Sequence, residues 1–161
     1  MTNKIENLKN YLNNIPNIEV IDNHSDVKRL SRDFYNYSPV LQKKLDSCLA
    51  DVVVRPKNIE SLLAVSKICW DLSIPLTIRG GGTGNYGQAV PLEKGIVLQM
   101  NYFNKIEKYY PESGFVRVQS GCLMGDLNKE LGKYGRELRL FPSTWKTASI
   151  GGFIAGGSGG I

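Results

Sequence analysis

A run of glycines over residues 79–87 constrains the fold of this chain more than any other feature of its sequence. The run reads Arg-Gly-Gly-Gly-Thr-Gly-Asn-Tyr-Gly and follows a short apolar stretch at residues 75–78. Glycine reaches positive φ and lets backbone N–H groups approach a ligand closely, and successive N–H groups that point into one concavity bind anions. An arginine at the mouth of such a loop adds a fixed donor fork for phosphate oxygens. The run therefore predicts a site for a diphosphate-containing ligand at the end of a β-strand.

A Rossmann fold and a flexible surface loop both fit the residues around this run less well. Residues 82–87 match the G-x-G-x-x-G pattern of Rossmann folds, but in those folds the last glycines open a helix whose N-terminus faces the pyrophosphate. Pro91 and Gly95 disfavour a helix here, and Asn101 stands in the region where an acidic residue would bind the ribose. A flexible surface loop would need neither the preceding strand nor the arginine. The Rossmann fold and the flexible loop stay open as alternatives.

A second glycine cluster spans residues 151–160. Apolar residues such as Ile150 and Phe153 lie beside or among these glycines, which a solvated linker would not need. Residues 142–149 precede the cluster with a proline and several hydroxyl side chains, a composition suited to a rigid loop that faces a ligand. A disordered tail stays open as the alternative. The second cluster suggests that the ligand is a flavin nucleotide, and its end at Ile161 predicts that the sequence is incomplete at its C-terminus.

Charge and cysteine content narrow the classes of partner and compartment. The net charge is +5, but the basic side chains are dispersed, so we expect ordinary surface charge and no nucleic-acid partner. Three cysteines without a C-x-x-C spacing predict neither a metal site nor a disulfide framework, and they favour a reducing compartment. The sequence shows no signal-peptide core and no apolar run of about 20 residues. We therefore predict a cytoplasmic protein, with peripheral attachment to a membrane left open.

Hydrophobic periodicity predicts a fold of mixed α/β or α+β class with two regions. Residues 1–47 are expected to form a helical and irregular N-terminal extension, and residues 48–161 the main domain. One predicted helix ends at Pro16, and three more span residues 24–32, 59–72 and 124–134. Strands are predicted at 51–56, 75–78 and 95–100, and an antiparallel pair of strands at 106–109 and 115–118. Asn58 is predicted to cap the helix at 59–72. A strand–helix–strand unit thus leads directly into the first glycine run.

The order of four motifs resembles the FAD-binding domain of the vanillyl-alcohol oxidase, or PCMH-type, superfamily. These motifs lie at residues 54–56, 79–87, 118–121 and 142–152. Residues 32–38 are similar to the segment before the first strand in the bacterial glycolate oxidase and D-lactate dehydrogenase branch. The resemblance implies two α+β subdomains that clasp FAD, with the second subdomain incomplete here.

The resemblance also implies which residues contact the cofactor. The first glycine run would wrap the pyrophosphate, Pro56 would lie towards the adenosine, and the later residues would run along the ribityl chain and the flavin ring. The residues assigned in this way are Pro56, Arg79, Gly80, Gly81, Gly82, Thr83, Gly84, Asn85, Gly87, Gly121, Pro142, Ser149, Gly151, Gly152, Gly156 and Gly157. Some relatives attach FAD through a histidine in the first run, where this chain has Thr83, and His24 is its only histidine. The resemblance therefore implies non-covalent FAD.

By the same resemblance, the chain is the FAD-binding part of a flavin-dependent dehydrogenase that oxidises a small 2-hydroxy acid or a related alcohol. In such enzymes the part beyond the second glycine motif supplies the acid/base group, so we assign no catalytic residue. We expect this chain alone to show no turnover and to bind FAD weakly or not at all. Uncovered apolar surface would favour self-association. The alternative function is a flavin-binding or interaction subunit that needs a partner chain.

Overall fold

The computed structural model describes residues 2–159 and shows an α+β fold built on two sheets, which confirms the predicted class. The helices are α1 (Thr2–Asn13), α2 (His24–Leu30), α3 (Pro39–Leu45), α4 (Ile59–Asp71), α5 (Met124–Gly132) and α6 (Ile150–Ala155). The strands are β1 (Ile18–Ile21), β2 (Val52–Pro56), β3 (Leu76–Arg79), β4 (Ile96–Gln99), β5 (Ile106–Tyr110) and β6 (Phe115–Val118). A short 3-10 turn at Tyr35–Tyr37 precedes α3.

The larger sheet has the strand order β1-β2-β4-β3, with β2, β4 and β3 parallel and β1 antiparallel at one edge. Val52 and Val54 of β2 pack with α1 and α4, whereas Val53 packs with α2 on the other face. Strands of a parallel sheet that are buried on both faces read as continuous apolar runs, which explains the β-branched run that predicted β2. The carboxyl ends of the parallel strands lie at one edge of this sheet, where β3 delivers Arg79.

The N-terminal region contributes more to this sheet than a helical and irregular segment would. α1 confirms the first predicted helix and buries Leu8 and Leu12 in the core, while the side chain of Ile5 lies outside the described part. β1 was not predicted from the sequence, because a strand of four residues carries little periodic signal and forms here by pairing with β2. α3, which Ser38 caps, was not predicted either. The division of the chain at residue 47 stays a prediction.

The smaller sheet is the predicted antiparallel pair of β5 and β6. α5 packs against it through Leu127 and Leu131, as predicted. A bridge between Leu123 and Ser149 joins the start of α5 to the start of α6. α6 was not predicted from the sequence, because glycine disfavours helix interiors; the Ser149 side chain caps it. No helix within residues 2–159 is long and apolar enough to cross a membrane.

Candidate functional site

A cleft of about 570 Å³ separates the two glycine-rich parts of the chain. We call residues 80–85 the first glycine segment and residues 149–159 the second glycine segment. The first segment follows β3 directly, so the cleft lies at the carboxyl edge of the parallel strands, where open α/β sheets bind their ligands. Pro142 and Ser143 extend the wall that the second segment forms.

The two walls approach each other so closely that no side chain fits at the start of the first glycine segment. A Cβ built on Gly80 would collide with Ser149 Oγ, and one built on Gly81 would collide with the carbonyl oxygen of Thr147. Gly82 has φ +67 and no room for a Cβ beside the Arg79 guanidinium. Glycine is therefore required at these positions by contact as well as by backbone conformation.

Ser149 joins the two walls through a single buried oxygen. Its Oγ accepts a hydrogen bond from the Gly81 N–H at 3.3 Å and another from the Gly152 N–H at 3.2 Å. The side chain is 2% exposed. Because one acceptor satisfies a donor from each segment, Ser149 links the two walls of the cleft.

The remaining backbone donors of the first glycine segment are available to a ligand. The N–H groups of Gly82, Thr83, Gly84 and Asn85 donate to no acceptor within the described part of the chain, whereas the flanking N–H groups of Gly81 and Tyr86 do. All four residues line the cleft. Four successive backbone N–H groups, two of them on glycines that have no Cβ, suit a phosphate group, so this wall fits the diphosphate of a dinucleotide.

Arg79 lies behind the first glycine segment and is absent from the lining of the cleft. The side chain is buried, and its Nη1 donates to the carbonyl oxygen of Arg32 at 2.6 Å. Burial lowers the pKa of the guanidinium, and the charge of Asp33 opposes that effect. The structure thus gives Arg79 a supporting place beneath Gly82 instead of the predicted place at the mouth of the loop. Direct contact between its guanidinium and a phosphate stays a prediction.

Asp33 is a residue of the cleft that was assigned no role from the sequence. Its Oδ1 accepts from the Tyr35 N–H at 2.9 Å, while its Oδ2 is buried and has no hydrogen-bond partner among the described residues. The next residue, Phe34, donates its N–H to the carbonyl oxygen of Gly84 at 2.8 Å. The segment at 32–38, which carried part of the family resemblance, was the signal that could have led to this residue.

The structure brings most of the predicted cofactor residues together in the cleft and leaves the others outside its lining. The lining includes Gly80, Gly81, Gly82, Thr83, Gly84, Asn85, Pro142, Ser149, Gly152 and Gly156. Pro56, Arg79, Gly87, Gly121, Gly151 and Gly157 are outside it.

Packing accounts for three of the glycines outside the cleft. A Cβ on Gly121 would collide with the Met100 carbonyl oxygen, and one on Gly151 would lie within 2.7 Å of the Ser120 side chain. Gly87 has φ +81, and a Cβ there would lie 2.6 Å from Leu45. These glycines hold the chain in place around the cleft, and their predicted contact with the cofactor stays a prediction.

A second, apolar groove of about 800 Å³ lies over β5, β6 and α5. Its lining includes Phe115, Leu127 and Leu138 and contains few polar groups. A diphosphate needs several hydrogen-bond donors to replace its lost water, whereas the side-chain donors among the described residues of this groove are limited to Tyr110, Ser113 and Arg117. We therefore assign the candidate site to the smaller cleft between the glycine segments.

The described residues offer no group of histidine, cysteine and acidic side chains suited to a metal ion. Cys48, Cys69 and Cys122 are free thiols, and Cys69 is buried in the core, as predicted. Burial raises the pKa of the Cys69 thiol to about 11. This cysteine is therefore protonated at neutral pH and contributes packing instead of thiolate chemistry.

The fold and the glycine-lined cleft are those of a nucleotide-binding domain. The chain belongs to the FAD binding domain family, whose model matches residues 50–161. This confirms the family that the sequence motifs predicted, and FAD as the cofactor. The way in which FAD is attached stays a prediction.

The chain is similar to parts of several larger proteins. It is 31% identical over 147 residues to the glycolate oxidase subunit GlcD of Escherichia coli K12, an alignment that covers 91% of this chain and 28% of the relative. It is 35% identical over 111 residues to a D-lactate dehydrogenase of Anaerostipes hadrus, covering 69% of this chain and 23% of the relative. The structure of p-cresol methylhydroxylase with substrate bound has a TM-score of 0.78 at 18% identity, covering 96% of this chain and 30% of that chain. This last likeness concerns the fold alone, and the chain spans less than a third of each of these proteins.

Proposed function

We propose that this chain forms the FAD-binding part of a flavin-dependent dehydrogenase that oxidises a small 2-hydroxy acid. The observation that carries the proposal is the cleft itself, in which Ser149 Oγ ties the first glycine segment to the second and leaves four successive N–H groups without a partner in the described chain. When bound there, FAD would serve as the acceptor of a hydride from the substrate.

Each wall of the cleft has a separate task in this proposal. The N–H groups from Gly82 to Asn85 would bind the diphosphate, and the buried Arg79 would add positive charge behind them. Gly152 and Pro142 line the opposite wall, whose described residues carry no long polar side chain. This composition suits the ribityl chain and the flat ring. Ser149 would keep the two walls at the separation that the cofactor requires.

The substrate class rests on the relatives. One is named as a glycolate oxidase subunit and another as a D-lactate dehydrogenase, and glycolate and D-lactate are both small 2-hydroxy acids. Because the first relative is named as a subunit, a partner subunit is also part of the proposal. A cytoplasmic location, which the cysteine pattern favours, is part of the proposal as well.

The proposal does not place the acid/base group of the reaction in the described part of the chain. Among the described residues that line the cleft, only Asp33 and Tyr86 have titratable side chains. Both lie at the first glycine segment, which the diphosphate would occupy. The expectation that the chain alone lacks turnover with D-lactate or glycolate therefore stands as part of the proposal.

A retention experiment tests both the cofactor and its attachment. The chain is mixed with increasing FAD, and the flavin retained with it by ultrafiltration is measured; riboflavin, which lacks the diphosphate, is the matched control. We expect the retention of FAD by this chain alone to be weak but saturable, and the retention of riboflavin to be weaker still. Acid precipitation of the loaded chain should release all flavin to the supernatant, because Thr83 stands where a linking histidine would be.

Equal retention of the two flavins would contradict the role of the diphosphate. A pellet that stays yellow after washing would contradict non-covalent attachment while leaving the cofactor assignment intact.

A further inference from the structure

The Asp33 carboxylate is a polar group of the cleft that the diphosphate site does not use. The side chain is 6% exposed and lines the cleft. Its Oδ2 is buried without a hydrogen-bond partner among the described residues, although most buried polar atoms in proteins are paired. An acceptor left in this state destabilises the fold, so Oδ2 is suited to a donor that a ligand brings.

The position of Asp33 defines which part of a ligand can reach it. A Cβ built on Gly84 would lie 3.3 Å from Oδ2, so the carboxylate faces the end of the first glycine segment. The Phe34 N–H holds the Gly84 carbonyl oxygen in place beside it. The Gln88 side chain covers the same space and is exposed, and its Oε1 accepts from the Tyr86 N–H at 3.1 Å. A long exposed side chain held in this way can move aside for a ligand.

The chemistry of the carboxylate defines the partner. An ionised carboxylate accepts hydrogen bonds and donates none, and it repels a phosphate at short distance. The group that binds at Oδ2 must therefore be a hydrogen-bond donor without negative charge that lies next to the diphosphate. In FAD the groups that flank the diphosphate are the ribose and the ribityl chain, and both carry hydroxyls.

We propose that Asp33 recognises a sugar hydroxyl of the bound dinucleotide through Oδ2 and so makes the cleft selective for hydroxylated nucleotides over inorganic diphosphate. This inference rests on the proposed cofactor site. It makes Asp33 a specificity residue at the same cleft in which the backbone N–H groups of the first glycine segment bind the diphosphate.

The test compares four ligands in titrations of the isotope-labelled chain, followed by NMR: FAD, ADP, FMN and inorganic pyrophosphate. In Asp33→Ala we expect FAD to bind about tenfold more weakly, whereas pyrophosphate, which has no sugar, binds unchanged or more tightly. If the variant also loses affinity for ADP, the hydroxyl belongs to the ribose. If it also loses affinity for FMN, the hydroxyl belongs to the ribityl chain. Asp71→Ala removes the same charge from an exposed position on α4 and is the control.

Asp33→Asn is a second variant for the case in which Asp33→Ala does not fold, since an amide oxygen can still accept from the Tyr35 N–H. It should strengthen pyrophosphate binding and weaken FAD binding less than alanine does. If the Asp33 variants lose affinity equally for all four ligands, then Asp33 only shapes the loop, and the proposal is overturned. Unchanged FAD binding, or a loss for FAD that neither ADP nor FMN shares, would overturn it as well. A wild-type chain that binds none of the four would overturn the proposed function itself.

Discussion

Replacing Gly82 with valine is expected to lower the FAD affinity of the chain at least tenfold, which corresponds to about 1.4 kcal/mol or more. Gly82 has φ +67, a conformation that costs a β-branched residue about 1–2 kcal/mol. Its new Cβ would also collide with the buried Arg79 guanidinium. The loop must therefore shift, and the N–H groups that follow would lose their common direction. Equilibrium dialysis against FAD measures the change.

Gly114→Val is the matched control for this variant. Gly114 has φ +70, close to that of Gly82, but it lies between β5 and β6 with no atom within 4 Å of a built Cβ. Both variants impose similar backbone strain, and only Gly82→Val disturbs the cleft. Equal FAD affinities for the two variants, with both still folded by circular dichroism, would show that the first glycine segment does not bind the diphosphate.

Ser149→Ala is expected to weaken FAD binding about tenfold and to lower the free energy of unfolding by about 1–2 kcal/mol. The substitution removes the one oxygen that accepts from Gly81 and Gly152. Two N–H groups on opposite walls lose their shared partner, and α6 loses its cap. Urea unfolding and equilibrium dialysis measure the two effects separately.

Ser143→Ala provides the comparison, because Ser143 also lines the cleft but no hydrogen bond joins its side chain to either glycine segment. Its effect on both quantities should be small. If Ser149→Ala leaves FAD binding unchanged while the chain loses stability, then Ser149 caps α6 and does not set the width of the cleft.

Local patterns in the sequence were sufficient to predict the elements in the central part of the fold. The valines of β2 and the capping residue Asn58 of α4 belong to short, regular patterns, and the structure confirms both elements, with a full capping box at Asn58. The hairpin of β5 and β6 was predictable for the same reason. In each case the residues that define the element are neighbours in the chain.

The elements that could not be predicted from the sequence depend on distant contacts. β1 forms by pairing with β2, and the pattern of its four residues does not reveal this. α6 contains two glycines in six residues, and it exists because Ser149 caps it and the neighbouring chain packs around it. Local propensity is a weak guide where tertiary contacts decide the conformation.

In the candidate site, too, features set by neighbouring residues could be predicted, and features set by distant contacts could not. The first glycine segment was visible in the sequence because close backbone approach needs several glycines in succession. The place of Arg79 beneath that segment was not visible, since it depends on a hydrogen bond to the carbonyl oxygen of Arg32, far away in the chain. Asp33 was not assigned for a similar reason: only the folded chain places its carboxylate beside Gly84.

The most direct test of the diphosphate site is an NMR titration of the isotope-labelled chain with FAD, read residue by residue from its amide signals. We predict that the amides of Gly82, Thr83, Gly84 and Asn85 shift most, that Gly152 on the opposite wall shifts with them, and that Gly114 does not move. Inorganic pyrophosphate should shift the amide signals of residues 82–85 and leave that of Gly152 unchanged. Shifts confined to the apolar groove around Phe115 and Leu127, with the first glycine segment unchanged, would contradict the assignment of the diphosphate site.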